Sequence, residues 1–143
     1  MAYLSLTRLR LKHVGYLIPY LIDSAKIVRE IIHSDGFIAG KVLAAPNLSM
    51  WTATLWSSKQ ASKAFHTKGS HGKIMSRFSS ISTEAANVSV ETSYARLPRW
   101  DYIAKLLTES GKFHQLESPS SDHKIKIVRI PKVTIFTIPF SHL

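Results

Sequence analysis

A chain of 143 residues with 45% hydrophobic content is near the size of one domain and has enough apolar material for one core, so residues 1–143 are expected to fold as a single unit. The absence of cysteine excludes a disulfide framework, a thiolate metal site and a cysteine nucleophile, and it fits a reducing, cytoplasmic setting. The net charge is +10, but the basic residues are spread from Arg8 to Lys132 with no dense run, so a solvated basic surface or an anionic small ligand is expected rather than nucleic acid.

The N-terminal cluster Arg8, Arg10, Lys12 followed by VGYLIPYLI has the outline of a signal peptide. That reading fails because the apolar run continues at helical spacing to Ile32 and no small-residue cleavage site follows. No other stretch approaches the roughly 18 consecutive apolar residues of a membrane span, so no membrane partner is expected.

In chain order, residues 3–10 (YLSLTRLR) read as a first strand with Leu4, Leu6 and Arg8 on one face. From Tyr16 to Ser34, Leu17, Leu21, Ala25, Val28 and Ile32 recur at spacings of three and four, which predicts an amphipathic helix with Pro19 in its first turn and Gly36 at its stop. FIAGKVLA (Phe37 to Ala44) predicts strand two, APNLS a turn, and MWTATLW (Met50 to Trp56) strand three. Ser57 and Gln60 have the spacing of a capping box, opening a helix through Ala61, Ala64 and Phe65 that Gly69 interrupts. A further helical segment is expected from Ser70 through Ile81, and AANVSVET (Ala85 to Thr92) predicts strand four.

Strand, helix, strand, strand, helix, strand is the ferredoxin-like βαββαβ order, an α+β fold with an antiparallel sheet. Strand three has a tryptophan on each face, Trp51 on one and Trp56 on the other, so both faces need a cover; the sheet of a second copy, related by a two-fold axis, predicts a homodimeric barrel. Beyond this core (3–95), LPRWDYIAKLLTESGKF places a C-terminal helix over part of 96–123, with Pro98 in its first turn and Gly111 as its stop. The β-branched tail 124–143 carries Pro131 and Pro139, which confine it to an edge strand or an extended arm lying against its own subunit or its partner.

GFIAGKVL, WTATLW with its capped helix, Phe65 and GSH (Gly69 to His71) resemble antibiotic-biosynthesis-monooxygenase-like proteins of the dimeric α/β-barrel superfamily. LPRW, Gly111 and SPSSDH (Ser118 to His123) are similar to its bacterial, spheroidene-monooxygenase-related branch, and the resemblance spans about residues 3 to 123. It implies a monooxygenase-like protein acting on or binding an aromatic or polyene molecule in a pocket between sheet and helices, with either no cofactor or haem. A non-catalytic haem-binding or small-molecule-binding dimer, and a structural dimer without a site, are the alternatives.

On that resemblance His71 becomes a haem ligand or a base, although strand one offers Ser5, Thr7 and Arg8 where haem-degrading relatives have an asparagine. Trp56 would be a pocket wall, Thr54 a hydroxyl on the same strand face, Phe65 a helix contribution, and Arg8 a partner for a substrate oxyanion. The plain reading of the same residues is packing: two core tryptophans and a histidine in the first turn of a helix. The remaining histidines show no metal-ligand spacing, and nucleotide-binding and serine-hydrolase motifs are absent from the sequence.

Overall fold

A computed structural model of the chain describes residues 1–67, 77–93 and 95–141. Strands β1 (Ala2–Leu11), β2 (Phe37–Ala44), β3 (Ser49–Trp56), β4 (Ser82–Thr92), β5 (Lys112–Phe113) and β6 (Thr137–Ser141) form one sheet in the order β5-β4-β1-β3-β2-β6, with every pairing antiparallel. Helix α1 (Leu17–Ile32) follows a 3-10 turn at Val14–Tyr16; α2 (Lys59–Thr67), α3 (Trp100–Ser110) and the short α4 (Ser121–Lys124) complete the helices whose ends are described, and residues 77–81 are also helical. The inner four strands with α1 and α2 are the ferredoxin-like unit expected from the sequence. The beginning of the helical segment predicted from Ser70, including Ile74 and Met75, lies outside the described residues.

Several boundaries differ for local reasons. The Ser58 hydroxyl, not Ser57, accepts the Ala61 amide at 3.1 Å and opens α2, because the Ser57 amide is already committed to the Gly36 carbonyl at 2.7 Å. Strand β4 starts three residues earlier than alternation suggested, at Ser82, which brings Glu84 into the sheet opposite Arg10. Pro98 lies just before the helix, with Arg99 as the N-cap of α3. Gly111 ends that helix in an extended conformation; a Cβ there would collide with the Leu107 carbonyl, so the requirement is for close approach rather than for positive φ.

Strand alternation divides the core into two. Leu4, Leu6, Trp51, Ala53, Leu55, Ala86 and Val88 point to one face, where Trp100, Ile103, Ala104 and Leu107 of α3 and Val128 cover them. The opposite face carries Leu9, Met50 and Ala85 beneath Tyr20 and Phe78, and Phe37 and Trp56 beneath Ile31 and Phe65. The double burial of β3 therefore has its cover within one chain. The expectation that this face needs the sheet of a second copy is corrected: α3 presents an apolar stripe at helical spacing and fills that place.

The tail forms an edge strand only over Thr137–Ser141, pairing with β2. Its Phe140 ring lies over Gly40 and stacks on Phe37 at 5.6 Å. A Cβ at Gly40 would land on that ring, so Gly40→Ala is expected to expel Phe140 and loosen β6 while leaving β1–β4 intact. Limited proteolysis should then cut within 125–136 faster than in the parent, by about ten-fold if about 1.4 kcal/mol of docking is lost. Unchanged cleavage would show that Phe140 does not hold the tail.

Candidate functional site

Trp56, Thr54 and Phe65 are brought together on the α1/α2 face. Trp56 is fully buried, stacks on Phe65 with ring centroids 5.4 Å apart and meets the edge of Phe37 at 5.7 Å. Its indole Nε1 donates to Thr54 Oγ1 at 2.9 Å, and Thr54 in turn donates to the Ser5 carbonyl at 3.4 Å. Both polar groups are thus used inside the protein, and neither residue lines a described cavity. His71 lies outside the described residues.

Arg8 faces the other side of the sheet, with Trp51. It is 3% exposed and forms an ion pair with the equally buried Glu84, while its guanidinium lies 5.3 Å from the centre of the Trp51 ring. Ser120 Oγ donates to Glu84 Oε2 at 2.8 Å and Arg10 approaches the same oxygen at 3.5 Å. Burial alone would push the Glu84 carboxyl up; the hydrogen bond and charge of Arg8, the Ser120 hydroxyl and the Arg10 charge together outweigh it and hold the group below the usual carboxylate range. The guanidinium is therefore committed to Glu84 on the face opposite Trp56, and Arg8 contributes to the lining of a cavity beside Thr7 and Leu9 that Trp56 does not reach.

What the α1/α2 face does contain is a polar floor. Cross-strand register aligns Thr52, Thr7 and Asn87 in one rung and Thr54, Ser5 and Ser89 in the next, across β3, β1 and β4. Toward the β4 edge, a cavity of about 160 Å³ opens above Thr7, Leu9 and Ala85, walled by Phe78, Ser79, His114 and Leu116. His114 follows the two residues of β5, and its amide donates to the Ala85 carbonyl at 3.0 Å, which fixes its backbone beside β4.

The chemistry of this cavity centres on His114. Its Nε2 lies 2.6 Å from Asn87 Oδ1; a carboxamide oxygen only accepts, so Nε2 carries the proton and Nδ1 the lone pair. Burial pushes the imidazole pKa down, and the nearby charge of Lys112 pushes it the same way, which favours the neutral form. The backbone carbonyl of His114 accepts from His123 Nε2 at 2.8 Å, while His123 Nδ1 accepts the Ala85 amide at 3.3 Å. His123 is thereby a buried strut that steadies the segment bearing His114. Periodicity carries no signal for His114, since β5 is too short for alternation; the compact string KFHQL after the Gly111 stop is its only trace.

Among the described residues no cluster of three or more His, Asp or Glu could hold a metal ion, and no helix is long and apolar enough to cross a membrane. An open groove of about 470 Å³ lies on the α3 side, but its Lys41 is tied to the Pro98 carbonyl at 2.6 Å and to the Trp100 ring at 4.4 Å.

Neither a family model nor a curated protein matches the sequence. Solved structures do match. Rv0793 from Mycobacterium tuberculosis has a TM-score of 0.59 at 7% identity, over 66% of this chain and 97% of that one. A candidate antibiotic biosynthesis monooxygenase from Nitrosomonas europaea has a TM-score of 0.55 at 9% identity, over 65% and 91%. SnoaB, a cofactor-independent oxygenase from Streptomyces nogalater, has a TM-score of 0.53 at 12% identity, over 68% and 98%. This chain has the fold of the antibiotic-biosynthesis-monooxygenase-like proteins. At these identities the likeness is one of fold. The resemblance read from the sequence is borne out at that level, and about a third of the chain lies outside the matched part in each of the three.

Proposed function

We propose that this protein is a monooxygenase-like protein that takes one ring of an aromatic or polyene small molecule into the cavity beside His114. The supporting observation is His114, paired with Asn87, at the wall of a cavity that mixes the apolar Leu9, Phe78, Ala85 and Leu116 with the polar Thr7 and Ser79. A cavity of about 150 Å³ is known to accommodate a benzene ring, so the volume suits a single ring with the rest of the ligand outside. In this reading Nδ1 of His114 takes a proton from an activated ring position, and Thr7 and Ser79 supply hydroxyls near the oxygen substituents. The resulting anion is electron-rich enough to react with dioxygen. A ring CH2 becomes C=O and the second oxygen atom leaves as water, so no outside reductant is required. SnoaB is described as cofactor-independent, which fits chemistry of this kind. The test is oxygen uptake with a panel of one-ring and fused-ring hydroxyarenes, for the parent and for His114→Ala.

The second reading is a haem-dependent or haem-binding protein with His71 as the ligand. It rests on the sequence resemblance of Gly69 to His71 to the histidine-bearing stretch of haem-degrading relatives. Titrating haem into the parent and into His71→Ala is expected to give a saturable Soret shift only in the parent if this reading holds; no shift in either removes haem. The homodimer expected from the sequence belongs to either reading only through surfaces other than the Trp51 face, which α3 covers.

A further inference from the structure

We propose that the outer face of α1 with the preceding 3-10 turn is a docking surface for an anionic lipid bilayer. The proposal goes beyond the cavity chemistry and stands or falls independently of it. Val14, Ile18, Leu21 and Ile22 are spaced four, three and one residues apart, so they share one side of the helix, and all are at least 43% exposed. The inner side of the same helix is used normally, with Tyr20 and Ile31 buried. A stripe of large aliphatic residues turned outward on a helix that already has a buried face is an interaction surface rather than scattered exposure.

Charge selects the occupant. Lys12 lies at the start of the stripe, and Lys26 and Arg29 lie one to two turns beyond Ile22 on the outward side; all three are exposed. Of the two acidic residues of α1, Asp23 is turned away and paired with Arg77 at 3.3 Å, and Glu30, next to Arg29, is half-buried. A second copy docking its own α1 across a two-fold axis would bring these cations together, and each chain already carries a net charge of +10. An anionic bilayer meets both needs: the aliphatic stripe enters the acyl boundary while Lys12, Lys26 and Arg29 face the headgroups. Surface docking is distinct from crossing a bilayer, for which α1 is too short.

The test is flotation of the full chain with vesicles of phosphatidylcholine alone and of phosphatidylcholine with phosphatidylglycerol, at physiological salt. The parent is expected to float with the anionic vesicles only. Ile18→Gln with Ile22→Gln, both on the exposed side, should lower the partition by about ten-fold or more from the lost apolar insertion. Lys26→Glu with Arg29→Glu should lower it by at least as much. Unchanged melting temperatures would show that both variants fold. No flotation of the parent would overturn the proposal. So would binding that the glutamine pair leaves intact, which is adsorption of a basic protein and nothing more. Concentration-dependent self-association that the glutamine pair abolishes, without flotation, would assign the surface to a second copy and also overturn it.

Discussion

Replacing Arg8 with methionine is expected to remove about 3–5 kcal/mol of folding stability, the range for stranding one member of a buried ion pair. Glu84 would keep the Ser120 hydroxyl and the more distant Arg10, but not the partner that offsets its burial. Because small domains are stable by only about 5–15 kcal/mol in total, the loss should be visible as a large fall in the urea midpoint at neutral pH. Replacing both residues together, Arg8→Met with Glu84→Leu, should recover much of the loss, because no buried charge is then left alone. The pH dependence has a definite sign. The folded Glu84 carboxyl is held below its usual pKa, so its contribution is present above the unfolded value of about 4.3 and disappears as the pH falls through the lower folded value. Glu84→Gln should flatten that acid limb in urea melts. A limb of the same depth in the variant would mean that other carboxylates set it.

The other large effect concerns His114. If its imidazole is the base, His114→Ala should lower kcat/KM for oxygen uptake by about 10²–10⁴ while leaving the melting temperature within a few degrees, since the ring is only half-buried. Asn87→Ala should cost less, because it removes the group that fixes the tautomer and not the base itself. The depressed pKa keeps the imidazole neutral at pH 7, so the rate of the parent should decline on the acid side only below about pH 6.5, as the ring gains its proton. The same depression makes His114 a contributor to stability that is present above the unfolded value of about 6.5 and fades as the pH falls through the folded one. An acid limb in kcat/KM that persists unaltered in His114→Ala would remove His114 from the role of base.

The legible parts of the fold were those written in periodicity. Phe37–Ala44 and the end of β3 at Trp56 fall where alternation and the turn residues place them, and α1 follows from apolar spacing, because each signal is contained within a few consecutive residues. Alternation also made the two-sided burial of β3 visible; what it could not say was who covers Trp51. The spacing of Trp100, Ile103 and Leu107 marks an amphipathic helix but not the face to which it returns, and a second copy and α3 satisfy the same demand. The Arg8–Glu84 pair joins residues 76 apart and depends on β4 extending back to Ser82, where Ser82 and Thr83 break the apolar pattern. Trp56 and Thr54 were legible as neighbours on one strand face, yet whether that face is open or filled depends on α2, and it is filled. His114 acquires meaning only when β5 pairs with β4 and sets it next to Asn87.

The position of α3 in the chain has a consequence for synthesis. By Thr92 the ribosome has made every strand of the ferredoxin-like unit, while Trp100 and the rest of the cover for Leu4, Leu6, Trp51 and Leu55 are still to come. Until α3 emerges, the nascent chain carries a finished sheet with one oily face, and the free edge of β2 waits longer still for Thr137–Ser141. The C-terminal segment acts as a late-arriving shield, and the window before it arrives is when a ribosome-bound chaperone would be most needed.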